Sequence, residues 1–280
     1  MLKSFEELDQ SITELTTEVK KLEVINSDLL NGLYYAATVQ QGLLPQSRHF
    51  DQLGYPYFLI YRPLNIVGGD FYWVGTKDET DYFIVGDCTG HGFAGGMLSA
   101  LAIGMINYLV YSKEFLTVGS ILNDMDRKWI EAFSRNNNGQ LADNDWLEIS
   151  ICSFNNKTKE LQFAGARGSL YLVRDGEEPL LINGNNYPIG GWQIEKERSY
   201  TTHFLSECQS AMLYFFSDGY KDQFGGIKNK RMGSKNFLSL LHSNAGLPLN
   251  HQKTNILEFY EQWKGINHPL DDVTIMGIRV

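Results

Sequence analysis

The sequence has little of what several functional classes require. Only three of its 280 residues are cysteine, an odd number without metal-ligand spacing, which argues against a disulfide framework and suits a reducing cytoplasm. Acidic residues outnumber basic ones by 33 to 24, and the net charge of −9 argues against a nucleic-acid partner, which requires a basic face. Metal binding remains compatible with this charge, because carboxylates that hold cations are counted here as unneutralised.

The sequence also lacks a long apolar segment. Its longest apolar run, residues 97–111, is shorter than the roughly 20 residues that span a bilayer, and the N-terminus has no apolar signal core. We therefore expect no membrane segment and a cytoplasmic location, either as an independent protein or as the cytosolic output domain of a longer sensor. A hydrophobic content of 43% is ample for a folded core.

Residues 1–45 have the pattern of a coiled coil. Apolar residues alternate in steps of four and three, with one asparagine among them: Leu8, Ile12, Leu15, Val19, Leu22, Asn26, Leu29 and Leu33. This heptad pattern predicts a regulatory or dimerising helix, and a homodimer formed through it. The alternative is a single amphipathic helix packed on its own domain. Pro45 ends the helix, and residues 46–280 form the second predicted domain.

Strands and paired helices follow in the second domain. We expect a buried helix over 93–111, a second helix over 117–134 and a polar loop over 135–145. Three strands over 146–175 read as a meander, and two later helices precede a C-terminal strand. Because the chain has no βαβ alternation, it predicts an α+β fold in layers rather than a parallel sheet.

Two aspartates lie at the inner ends of neighbouring strand-like runs. A hairpin turn placed on residues 77–80 pairs Asp70 directly with Asp87, on the same face of the hairpin. Two unpaired carboxylates at that distance repel each other, and a divalent cation between them removes the repulsion. Flanking glycines would leave room for backbone and ion to approach. The alternative is that both aspartates are solvated turn residues.

Further acids also stand at strand ends. Asp218 follows the apolar run 211–216, and Asp271 and Asp272 precede the C-terminal strand. Acids at four strand ends, without a His or Cys ligand pattern, describe an all-oxygen site that favours Mg²⁺ or Mn²⁺ over zinc. Such a site suggests metal-activated water attacking a phosphoryl centre.

Five segments together resemble the bacterial SpoIIE/RsbU-type serine/threonine phosphatases of the metal-dependent protein phosphatase (PPM) superfamily. In chain order they are VGGDFYW, VGDCTGHGFAGG, YPIG, FFSDGYKD and DDVTIM. The helix end AATVQQGLLP is also similar to the segment that enters that family's catalytic domain. The similarity runs from about residue 34 to the C-terminus, and the motifs are specific in combination.

The resemblance implies a four-layer αββα sandwich of two antiparallel sheets flanked by helices, with two Mn²⁺ or Mg²⁺ ions at one end. Asp87 would bridge the ions, and Asp70 would be a further ligand. The backbone carbonyl of Cys88 would coordinate one ion, and Asp218 and Asp271, with Asp272 as the less certain candidate, would hold the second. The implied reaction is hydrolysis of phosphoserine or phosphothreonine on a small regulatory protein, an anti-sigma-factor antagonist of the STAS type or an analogous partner.

Two residues and two other functions stay open. His91 could protonate a leaving oxygen or only hydrogen-bond its loop. Arg167 stands in AGARGS, where the family often has AGHxP, and it could face the substrate phosphate or be a solvated surface residue. A catalytically silent PPM-fold binding or scaffold module would be expected to lose ligand aspartates, whereas every expected acid is present. A hydrolase of small phosphoesters is a third reading, which no Gly-rich phosphate loop supports.

Overall fold

The computed structural model of the protein describes residues 2–114, 117–133, 145–191 and 198–280. The helices are α1 (Leu2–Leu43), α2 (Ser47–Leu53), α3 (Gly92–Ser112), α4 (Val118–Phe133), α5 (Gly219–Asp222), α6 (Gly233–Asn244) and α7 (Leu249–Lys264). The strands are β1 (Tyr57–Arg62), β2 (Asp70–Lys77), β3 (Thr80–Cys88), β4 (Trp146–Asn155), β5 (Leu161–Ala166), β6 (Ser169–Val173), β7 (Leu180–Asn183), β8 (Ile189–Gly190), β9 (His203–Leu205), β10 (Met212–Phe216), β11 (Phe224–Gly225), β12 (Lys230–Arg231) and β13 (Val273–Arg279). Apart from Asp145, the predicted polar loop 135–145 lies outside the described residues.

Two antiparallel sheets form the centre of the fold. The first sheet has the strand order β1-β13-β10-β6-β7, and the second has the order β2-β3-β4-β5-β9, with β8 paired to β4. A small hairpin of β11 and β12 stands apart from both. The predicted α+β class with two antiparallel sheets is therefore confirmed.

Alternating side chains place the strands of the first sheet between two apolar layers. On β10, Leu213 and Phe215 belong to the core shared with the second sheet, whereas Met212 and Tyr214 belong to the core under α6 and α7. Both faces of these strands are therefore buried, which explains their continuous apolar sequences. Helices α3 and α4 cover the other face of the second sheet, through buried residues such as Ile103. The result is a four-layer αββα arrangement.

The predicted three-strand meander over 146–175 is wrong. Strand β5 pairs with β4 in the second sheet, but β6 pairs with β10 and β7 in the first. The chain crosses between the sheets at Arg167 and Gly168, where Arg167 has a positive φ of 56°. The amide of Arg167 bonds the carbonyl of Asn185 at 2.8 Å, which holds the crossing in place. A turn signal alone does not say whether the next strand returns to the same sheet.

Helix α3 is less buried than its composition predicts. Phe93, Met97, Tyr108 and Tyr111 are all exposed, although nine residues of the helix are buried. Within the described residues, this is the one helix with the length and hydropathy to cross a membrane, and half of it is buried inside the fold. Its apolar character is in part that of a core helix against the second sheet.

The two ends of α1 have different surroundings. Side chains of residues 9–32 are all exposed, including the heptad residues Leu15, Val19 and Leu22. The alternative of an amphipathic helix packed on its own domain therefore does not hold for this stretch. Near its C-terminal end the helix does pack on the domain, since Ala37 and Gln40 are buried.

Candidate active site

The predicted register of the first hairpin is confirmed. Asp70 on β2 lies directly opposite Asp87 on β3, and the strands close through a two-residue turn at Asp78 and Glu79. Asp78 takes a φ of 53°, a left-handed conformation that aspartate adopts more readily than most residues. The two carboxylates therefore leave the same face of the hairpin at its open end.

Three glycines flank this pair, Gly68, Gly69 and Gly86, and close packing explains the first two. A Cβ on Gly68 would lie 2.6 Å from the Oδ2 atom of Asp272. A Cβ on Gly69 would lie 2.6 Å from the carbonyl oxygen of Cys88 and 2.7 Å from that of Gly90. The third expected glycine serves another purpose, because a Cβ on Gly86 would collide with the ring of Phe71. The expectation that all the glycines leave room for backbone and ion is thus wrong for Gly86, which accommodates a core side chain.

The acids of the first sheet reach the same end of the sandwich. Strand β10 ends where β13 begins, and Phe216 pairs with Ile275. Asp218 follows this end of β10, and Asp271 precedes this start of β13. The hydroxyl of Ser217 donates a 2.6 Å hydrogen bond across the sandwich to the Oδ2 atom of Asp70. The two sheets are therefore joined at the acidic end.

Burial and mutual repulsion raise the pKa values of the clustered acids. Burial first, then the charges of Asp272 and Asp271, raise the pKa of Asp70 to about 8, against the bond from Ser217. Burial also raises the pKa of Asp87 well above its ordinary value, with contributions from Asp70, Asp218 and Asp271. The pKa values of Asp218 and Asp271 rise for the same first reason. Four carboxylates that repel one another thus share this region, and burial is the largest cause of each raised pKa.

Asp272 has a different environment from Asp271. Its carboxylate accepts hydrogen bonds from the backbone amides of Leu64 and Gly69, each at 2.6 Å, and from that of Asp70 at 3.2 Å. It thereby ties the start of β13 to the loop that leads into β2. A carboxylate that accepts hydrogen bonds from three amides has little capacity left to bind a metal ion. Asp271, by contrast, is close enough to Asp218 and Asp87 to be repelled by their charges.

The donors fit a hard divalent cation by their chemistry. They are carboxylates that repel one another, and the carbonyl oxygens of Cys88 and Gly90 lie beside them near Gly69. Over the four described ranges, no three Asp, Glu, His or Cys side chains converge closely enough to enclose an ion. The strand register opposes Asp70 and Asp87, and directly opposed residues of an antiparallel pair have Cβ atoms about 4.5–5.5 Å apart.

The two residues left open by the sequence both lie at the rim. His91 is exposed at the N-terminus of α3, with its Nδ1 atom 3.4 Å from Asn65, and its charge lowers the pKa of Asp271. Arg167 forms an ion pair with Glu148 at 3.0 Å. Cys88 is buried, and burial raises the pKa of its thiol well above the ordinary value, so the thiol is not a nucleophile.

Sequence reasoning missed two residues that contact this region. Glu148 on β4 lies directly opposite Asp87 and shares a pocket with Asp87 and Asp218. Gln40 on α1 is buried, and its Nε2 atom donates to the carbonyl of Gly68 and to the hydroxyl of Ser99, both at 2.7 Å. Neither residue stands in a motif, and both come from parts of the chain that are distant in sequence from the aspartates.

Comparison with known proteins identifies the family and the fold. The family model described as Stage II sporulation protein E (SpoIIE) matches residues 77–280. No curated protein sequence matches the chain. The structure is similar to the SiaA-PP2C domain of Pseudomonas aeruginosa, with a TM-score of 0.80 and 26% sequence identity, over 91% of this chain and 98% of that one.

Two more distant structures share the fold. The RsbU and RsbW domains of Rv1364c from Mycobacterium tuberculosis match with a TM-score of 0.63 and 16% identity, over 80% of this chain and 59% of that chain. The catalytic domain of the serine/threonine protein phosphatase PstP, in complex with two manganese ions, matches with a TM-score of 0.53 and 15% identity, over 80% of this chain and 97% of that one. The family match covers most of the chain and agrees with the acidic end of the two-sheet sandwich, so the chain belongs to the SpoIIE family and has the PP2C phosphatase fold.

Proposed function

We propose that this protein hydrolyses phosphoserine or phosphothreonine with the help of two Mn²⁺ or Mg²⁺ ions held at the acidic end of the sandwich. The single observation that carries the proposal is the presence there of buried, mutually repelling carboxylates from both sheets. Structural carboxylates are normally paired with cations or amides, and a buried cluster that lacks such partners is costly to maintain.

The ligand roles follow from the surroundings of each acid. Asp87 interacts with Asp70, Asp218 and Asp271 and would hold the ions together with Asp70, which lies opposite it. Asp218 and Asp271 supply the carboxylates of the first sheet, and the Cys88 carbonyl supplies a backbone oxygen. Asp272 is assigned to holding the loop before β2 rather than to a metal.

The protein's own groups prepare this site for chemistry. When bound, divalent ions would supply an activated water and neutralise the phosphoryl oxygens. The Ser217 hydroxyl fixes one oxygen of Asp70, which leaves the other oxygen for an ion. The pKa of Asp70 is raised to about 8, and a carboxylate ligand must be deprotonated, so Asp70 would have to release its proton to hold an ion.

The substrate that we propose is a small phosphorylated regulatory protein. One structural relative joins an RsbU domain to an RsbW domain in one chain, and the family resemblance points to anti-sigma-factor antagonists of the STAS type or analogous partners. The net charge of −9 is consistent with a protein substrate rather than a nucleic acid.

We further propose that α1 dimerises the protein in the cytoplasm and relays a signal to the phosphatase domain, residues 46–280. Its exposed heptad residues, between Ile12 and Leu29, would bury their apolar surface against a second copy. Its C-terminal end reaches the loop before Asp70 through Gln40. The helix therefore carries the proposed interface along its exposed stretch and contacts the loop before Asp70 at its C-terminal end.

The first test is Mn²⁺-dependent hydrolysis of a phosphoserine peptide by the wild type, by Asp87→Ala and by Asp175→Ala, an exposed control. We expect turnover that requires metal, is lost in Asp87→Ala and is retained in Asp175→Ala. Calorimetric titration with Mn²⁺ separates the alternatives. Metal binding without turnover would favour the catalytically silent module. If the protein shows no metal binding and no turnover, the dinuclear site is refuted.

A further inference from the structure

A cation is fixed at the rim of the acidic pocket by two neighbours. The pocket is bounded by Asp87, Glu148, Asp218, Arg167 and Lys221, among others. The Nε atom of Arg167 lies 3.0 Å from Oε1 of Glu148, and its guanidinium carbon lies 5.0 Å from the centre of the Trp146 ring. An acid on one side and an aromatic face on another restrict where this side chain can point.

The backbone at Arg167 is also held in an unusual conformation. Its φ of 56° is left-handed, which costs a residue with a Cβ about 1 kcal/mol or more. The amide bond to Asn185 and a bridge to Ile149 on β4 maintain this conformation. This conformation belongs to the crossing between the two sheets, and it fixes the point from which the Arg167 side chain extends to the rim of the pocket.

The ion pair uses only part of the arginine. A guanidinium has five donors in a planar fork, and contact through Nε leaves the two terminal nitrogens. Among the described residues, no hydrogen bond reaches those terminal nitrogens. The side chain is also nearly half exposed, at 46%, so its free edge is open to a ligand.

The ligand must be an anion that enters an acidic pocket. Asp218 lines this pocket together with two cations, Lys221 and Arg167. Arg231 is already paired with Asp222, whereas Lys221 lines the pocket beside Arg167. Cations at the mouth of a carboxylate-rich site are the arrangement expected for binding a phosphomonoester dianion. The phosphate oxygens that do not bind metal ions need hydrogen-bond donors from the protein.

We propose that Arg167 binds the phosphoryl oxygens of the substrate, that Lys221 contributes a second positive charge, and that Glu148 is a positioning residue that holds Arg167 toward the pocket. This inference rests on the proposed function, because it assumes a phosphorylated substrate at the same site. Glu148 does not contact the substrate. It acts only through the orientation of the guanidinium.

The structural alternative is an ion pair that merely stabilises the turn. Pairs with this exposure contribute little to stability, so that alternative predicts small effects on both folding and catalysis. A purely electrostatic alternative also exists, in which Glu148 repels phosphate. It predicts the opposite sign for substitutions of Glu148, because removing the negative charge would then tighten binding.

The experiment compares Arg167→Ala, Arg167→Lys, Glu148→Ala and Glu148→Gln with wild type. Arg127→Ala is the matched control, because Arg127 is exposed and ion-paired but lies on α4. KM and kcat are measured with a phosphoserine peptide in Mn²⁺. Inorganic phosphate is titrated calorimetrically into the Mn²⁺-loaded proteins, and Mn²⁺ affinity is measured separately.

For Arg167→Ala we expect phosphate affinity and kcat/KM to fall about tenfold to a hundredfold, the range for a charge-assisted hydrogen bond, with Mn²⁺ affinity unchanged. Arg167→Lys should recover only part of this loss, because the lysine ammonium is a point charge without the planar fork. Glu148→Ala should raise KM more than it lowers kcat, and Glu148→Gln should restore KM, because an amide oxygen still accepts from Nε.

Each outcome decides one question. Unchanged phosphate affinity in Arg167→Ala, in an enzyme with metal-dependent turnover, would overturn this inference and leave the proposed function standing. Tighter phosphate binding in both Glu148 variants would overturn the positioning role in favour of repulsion. If wild type shows no turnover, the proposed function fails, and the phosphate titration still decides whether Arg167 binds phosphate.

Discussion

Replacing Gln40 with alanine tests whether α1 is coupled to the acidic site. The side chain of Gln40 is buried between α1, α3 and the loop before β2, and its amide donates to the carbonyl of Gly68 and to Ser99. Gly68 is two residues before Asp70, and a Cβ on Gly68 would lie 2.6 Å from the carboxylate of Asp272. The loop that Gln40 holds is thus packed against two of the acids.

The structure sets the size of the expected effect. Gln40→Ala removes two hydrogen bonds of 2.7 Å and a longer one of 3.4 Å that Gln40 accepts from the Gly68 amide. The two short bonds contribute about 1 kcal/mol net each, so the end of α1 should lose about 2 kcal/mol of docking free energy. That corresponds to a shift of about thirtyfold between docked and undocked helix. Ser99 retains a bond of 2.9 Å to the carbonyl of Gly96, so no new buried donor is left without a partner there.

The assay combines urea unfolding, Mn²⁺ titration and turnover of a phosphoserine peptide. We expect weaker Mn²⁺ binding and lower kcat in Gln40→Ala, because the loop before Asp70 is no longer held. Gln41→Ala is the control, because Gln41 is the next residue, of the same type, and exposed. If Gln40→Ala loses about 2 kcal/mol of unfolding free energy while Mn²⁺ affinity and kcat match those of Gln41→Ala, the coupling argument is refuted.

Three other predictions concern the acids, their backbone and the helix. Between the ordinary aspartate pKa and about 8, the folded state binds more protons at Asp70 than the unfolded state does. Metal-free protein should therefore unfold at lower urea concentration at about pH 8 than at about pH 6. Asp70→Asn should weaken this dependence, and an unchanged pH profile in that variant would contradict the assignment. Gly69→Ala should destabilise the protein by about 1–3 kcal/mol, because its Cβ would lie 2.6 Å from a carbonyl oxygen, whereas Gly104→Ala, with open space around it, should not; equal unfolding midpoints would rule out the packing argument. Leu22→Lys should convert a dimer to a monomer in sedimentation velocity while Lys21→Glu, which lies outside the heptad stripe, should not; the same mass for both variants and wild type would show that α1 is not the interface.

Most of the fold could be predicted from patterns that are local in sequence. The turn at Asp78 and Glu79 fixes the whole register of β2 and β3, so the opposition of Asp70 and Asp87 could be predicted from the hairpin alone. The predicted helix over 117–134 matches α4, and the two predicted later helices correspond to α6 and α7. The burial of α3 was overestimated, because composition does not show which side of a helix finds a neighbour.

Glu148 shows where local reasoning ends. It pairs with Asp87 as directly as Asp70 does, on the other side of β3. However, β3 and β4 are joined by two helices and not by a turn, so no short connection fixes their register. Alternation along β4 indicates which residues share a face, but not which residue of β3 each one meets. Sequence motifs alone therefore cannot identify every residue of a site that is assembled across such connections. The remaining residues, including Arg167 at the crossing between the sheets, can be assigned only once the strand pairing is known.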